Sequence, residues 1–172
     1  MNQISAVWGL GGPLLLLVLA IGRLLPRAIE AHAFEFSWIH WLAFIAILLF
    51  MAYSEGYKGF QVSYSPRVAA RARYLLSHST PTRAVLAPLF CMGFFHAPRR
   101  RRITAALLVA MIVAFIVILQ RVPQPWRGIV DAGVVLGLAW GVVATAILGV
   151  KALTAESFEH DPEVPFEAGS ER

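Results

Sequence analysis

Four long stretches that are almost free of charge constrain this chain more than any other feature: residues 4–22, 36–54, 103–119 and 129–150. Backbone groups in hydrocarbon must find their hydrogen bonds within the segment, so runs of this length predict membrane-crossing helices. At about 1.5 Å per residue they match a hydrocarbon core of ~30 Å. The alternation of barrel strands is absent. Only 15% of the 172 residues are charged and 58% are hydrophobic, too little charge for a water-soluble domain. The fold expected is therefore all-α and integral to a membrane. It has a four-helix transmembrane domain over residues 1–155 and an acidic tail, 156–172, whose composition predicts disorder.

Pro13 inside the first run predicts either a kink or a helix start reset after the GLGG of residues 9–12. The triplet Ala31-His32-Ala33 has the form of a signal-peptide cleavage site. However, the run before it is too long for a signal core, and Arg23 and Arg27 intervene, so an uncleaved span is expected. The second run carries Trp38 and Trp41 at one end and Tyr53 and Tyr57 at the other, as interfacial belts do.

Charge gives orientation. Nine of the fifteen Lys and Arg residues fall between Glu55 and Arg102, so the loop 55–102 is expected on the cytoplasmic side, with both termini. Eleven basic residues then lie inside and four outside: Arg23, Arg27, Arg121 and Arg127. Thirteen of the fifteen are arginine, a composition that points to a bacterial inner membrane. In such a protein a basic loop implies topology and anionic lipid, and not nucleic acid.

Within that loop Ser65-Pro66 reads as an N-cap followed by proline at the first helical position. Beyond it Val68, Ala69, Ala72, Leu75 and Leu76 share one helical face. Arg67, Arg71, Tyr74 and His78 form the opposite row, with Arg73 at its margin. The pattern predicts a basic amphipathic helix in the headgroup plane. A second start, Ser79-Thr80-Pro81, leads into an apolar stretch, 84–95, interrupted by Pro88. It is too short to cross and is expected to be re-entrant or in-plane. The densest charge run follows: Arg99, Arg100, Arg101 and Arg102. With the amphipathic helix it forms the expected docking patch for lipid headgroups or a partner.

Small residues recur every fourth position in the last run: Gly133, Gly137, Gly141, Thr145 and Gly149. They allow close backbone approach, either by a helix of the same chain or by another subunit. Asp131 is expected near Arg23, Arg121 and Arg127, in a structural ion pair or solvated at the interface. Glu55 is expected at the cytoplasmic interface beside Lys58. No catalytic signature, metal-ligand spacing or cofactor motif is present, and Cys91 reads as a packing residue. The phrase from Tyr53 to Gln61, with two glycines and a charge pair, has no assignable mechanism.

Two functions remain. The first is a non-enzymatic accessory or scaffold protein that binds anionic lipid and a membrane partner, or a second copy, through the fourth span. The second is a small transporter coupling an ion through Glu55 or Asp131. A lipid-modifying enzyme fits less well, because no acids, histidines or metal ligands cluster at one interface.

Overall fold

The structure is a computed structural model describing residues 2–164, apart from the side chain of Arg101. Every regular element among the described residues is helical. Four helices are long and apolar enough to cross a membrane: Asn2–Ala33, Trp38–Tyr74, Arg102–Leu119 and Trp126–Thr154.

The bundle is organised around its last helix, α7 (Trp126–Thr154), because the small residues there admit neighbours at close range. The first helix, α1 (Asn2–Glu30), lies antiparallel to it: Leu10 packs on Gly149, and Ala31 on Gly128. The second long helix lies parallel to α7. Ile47 meets Gly133, Glu55 meets Gly137 and Phe60 meets Gly141. One turn further on, the Ser65 and Thr145 hydroxyls share a buried hydrogen bond of 2.8 Å. A Cβ on Gly141 would stand 2.6 Å from the Phe60 ring, and one on Gly149 would stand 2.4 Å from Leu10. The glycine row is thus filled from within the chain, by two different helices.

The second span corrects the expected boundaries. It does not stop near residue 54 but continues unbroken to Tyr74. α2 (Trp38–Met51) passes into a π-helix, Ala52–Tyr64, and then into α3 (Ser65–Tyr74). Ser65 is therefore not an N-cap, and its hydroxyl turns to Thr145 instead. Pro66 lacks an N–H, so it withdraws one donor where the hydrogen-bond ladder changes pitch. Mean hydropathy falls after Ser54 because it averages all faces of the helix. Two of the polar groups there find partners: Ser54 Oγ donates to the Phe50 carbonyl at 2.6 Å, and Gln61 Oε1 accepts from Trp140 Nε1 at 2.7 Å.

α1 runs through Pro13 without resetting. Its buried Gly9 and Gly12 receive Cys91 and Pro88 of a short helix, α5 (Ala87–Cys91). Thr80 does cap α4 (Pro81–Val85), accepting from the Arg83 N–H at 3.3 Å. The stretch 84–95 is thus broken at Leu86 and folded against α1, with Phe90 and Leu75 in the core it shares with Ala6 and Leu10.

α6 (Arg99–Leu119) stands apart. No other element packs closely against it, and its apolar window contains no buried residue. Such a surface is compatible with a membrane location.

Candidate functional site

The π-helix sets the geometry of the site. With i→i+5 hydrogen bonds, it completes a turn in roughly four and a half residues. Glu55 and Tyr64 are nine residues apart. At about 100° per residue, an α-helix would place them on opposite faces. The π-helix brings them round onto one face, with Gly59 and Phe60 between them, and α3 extends the stripe to Arg67 and Arg71. The Phe60 and Tyr64 rings meet edge to face at 5.5 Å.

Along this stripe lies a cavity of about 320 Å³, at the small end of the ~300–1,000 Å³ usual for small-molecule sites. Its far wall is α6, through Thr104, Ala105, Leu108, Val109 and Ile112. Leu17 of α1 and Leu138 of α7 face it, and residues 91–94 close the end nearest Arg71. The gap between α6 and the bundle therefore forms the cavity.

Four charged residues line it: Glu55, Arg67, Arg71 and Glu163. The Glu55 carboxylate packs on Gly137, the twelfth of the 29 residues of α7 and so near its middle. Oε2 is buried and has no hydrogen-bond partner. A Cβ on Gly137 would stand 2.8 Å from that oxygen, so glycine is what admits the carboxylate. The carboxylate thus lies beside the middle of α7. The expected neighbour Lys58 turns away, with its ammonium 4.9 Å above the Tyr53 ring. At π-helical pitch a spacing of three residues no longer stacks two side chains.

The basic row is divided. Arg71 is buried, and its guanidinium donates to the carbonyls of Phe90 at 2.7 Å, His96 at 3.1 Å and Glu163 at 3.1 Å. Arg73 closes the C-terminal end of α7, donating to the carbonyls of Ala152 at 2.7 Å, Ala155 at 2.6 Å and Glu156 at 2.6 Å. Both are therefore corrected from headgroup ligands to internal clamps. Exposed carbonyls at a helix end attract cations, which is why α7 terminates against α3. Tyr74 stacks on the exposed His78 at 4.4 Å and on Phe90 at 6.0 Å. Arg67 is half-buried at the cavity wall. Arg99, Arg100 and Arg102 are exposed in the first turn of α6.

The tail is likewise anchored as far as it is described. Arg71 and Arg73 hold its carbonyls, and Val164 packs on the core. The rest of the tail lies outside the described residues.

At the other end of the bundle, Asp131 is 2% exposed, with Oδ2 3.7 Å from Arg127 Nε; Arg23 is exposed and does not pair with it. His40 completes a capping box with Ser37 and packs on Trp126 at 4.7 Å. Among the described residues no three His, Cys, Asp or Glu side chains converge as a metal site would require. Burial pushes the Cys91 thiol up to about 12, outweighing the nearby Arg71, so it is no nucleophile at neutral pH.

Sequence reasoning missed Tyr64, the α6 wall and the place of Glu55 beside the middle of α7. The available signal was the nine-residue spacing from Glu55 to Tyr64, which acquires meaning only at π-helical pitch. No protein-family model, curated protein or solved structure matches the chain.

Proposed function

We propose that this protein is a small membrane transporter in which Glu55 carries the exchanging proton or cation. The observation that supports this most is the buried Glu55 carboxylate oxygen, without a donor, on the wall of a cavity beside the middle of α7. An unpaired charge in hydrocarbon is costly, so the carboxylate calls for a proton or a cation. Exchange of one for the other is the elementary step of coupled transport. Transporter sites occur near the midplane, beside irregular helix, and a π-helix provides that irregularity.

In a membrane, the end of the bundle carrying Arg99, Arg100, Arg102 and Lys151 faces the cytoplasm by the positive-inside rule. Asn2 hydrogen-bonds the Leu76 carbonyl at this end, and Val164 packs here too, so both described chain ends would face inward. An inner membrane of a bacterium remains the proposed location.

The test is counterflow in acid-loaded proteoliposomes containing a pH-sensitive dye. Sodium, potassium, choline and tetramethylammonium are offered outside in turn. Wild-type protein should alkalinise the lumen with at least one of them, and Glu55→Gln should leave the baseline unchanged. Signals of equal size from both proteins, or none with any cation, would contradict the reading.

The accessory reading keeps one foothold in the exposed Arg99 and Arg100 at the start of α6, which suit anionic headgroups at about 1 kcal/mol each. A membrane partner or second copy would now meet α6, since the glycine row is occupied. Reversing Arg99 and Arg100 to glutamate should reduce retention of anionic lipid through purification; unchanged lipid content would remove this role.

A further inference from the structure

We infer that the cavity beside α6 receives an organic cation with an apolar body. This rests on the reading of Glu55 as an exchanging carboxylate and adds the class of cation it meets.

The lining favours an organic ion over an inorganic one. Beside the oxygens of Glu55, Tyr64, Thr104 and Glu163 it is mostly apolar, with Leu17, Phe60, Leu108, Ile112 and Leu138, whereas hard cations are best held by a shell made of oxygen ligands. An organic cation carries its own apolar envelope and gains by burying it.

The aromatic groups favour the same class. Phe60 lies on the turn next to Glu55, with Tyr64 edge-to-face beside it, so a carboxylate and a pair of rings share one wall. Ring faces beside an anionic group recognise substituted ammonium.

On binding, the ammonium meets the Glu55 carboxylate, and the carboxyl proton passes to water.

The probe is benzyltrimethylammonium, compared with its neutral carbon isostere neopentylbenzene and with the anion phenylmethanesulfonate. Full-length protein in lipid nanodiscs is titrated calorimetrically, with protein-free discs subtracted. The cation should bind at least about tenfold more tightly than the isostere. Repeating the titration in buffers of different ionisation enthalpy should reveal proton release. Glu55→Gln should abolish the preference, and Ile112→Trp, which fills the cavity, should weaken both ligands. Equal affinities for cation and isostere in the wild type overturn the proposal without recourse to any variant. So does a preference that survives Glu55→Gln, or tighter binding of the sulfonate. Proton exchange in liposomes without preference for the organic cation would remove the ligand class and leave the coupling reading standing; loss of both would remove both.

Discussion

At the scale of single residues, the arginines show how the same side chain serves opposite purposes. Arg73 looks like a surface charge on a helical wheel, yet it holds three carbonyls at the end of α7. Arg73→Ala should therefore leave orientation intact and cost at least about 2 kcal/mol, since charge-assisted hydrogen bonds contribute ~1.5–3 kcal/mol each. Faster amide exchange confined to residues 150–164 would report it; an unchanged exchange pattern would contradict the clamp. The carbonyls that select Arg71 and Arg73 are invisible in the sequence because every residue has one. Cys91 differs, since its packing role was legible from its apolar setting and its burial follows. Its raised pKa keeps the thiol protonated, so maleimide at neutral pH should label it far more slowly in the folded protein than in denaturing detergent. Comparable rates would show that the site is open.

Among the elements, α7 advertises close packing in its sequence, because four-residue glycine spacing is a property of the helix itself. Which neighbour fills the row was not legible, since close approach has the same signature within a chain and between chains. The structure assigns Gly133, Gly137 and Gly141 to the second span and Gly149 to α1. Gly141→Leu should therefore destabilise the isolated monomer by about 1–3 kcal/mol through overpacking against Phe60. A lowered unfolding temperature in detergent at dilutions that exclude oligomers would bear this out; an effect seen only on oligomer formation would contradict it. The second span was read too short for a related reason. Helical wheels and hydropathy windows presuppose α pitch, whereas residues 52–64 are wound more widely. The nineteen residues from Ile47 to Ser65 run beside only the thirteen from Gly133 to Thr145, which brings Glu55 beside the middle of α7.

At the scale of the whole molecule, α1, α7 and the second span form a closed unit that α4 and α5 cover at one end, while α6 remains outside it. The number of spans was legible because apolar length is a property of each run alone. The separation of α6 was not, since its uniformly apolar faces give no sign of which one meets the bundle. The cavity is a consequence of that separation, and Glu55 makes it chemically distinctive. The most direct measurement is reaction with dicyclohexylcarbodiimide, an apolar reagent for protonated carboxyls in lipid-accessible sites, followed by mass spectrometry of the peptides. Glu55 should be modified first, ahead of Asp131 beside Arg127, and benzyltrimethylammonium should slow it. Modification of Asp131 or the tail acids with Glu55 left intact would contradict an accessible, unpartnered carboxylate behind α6.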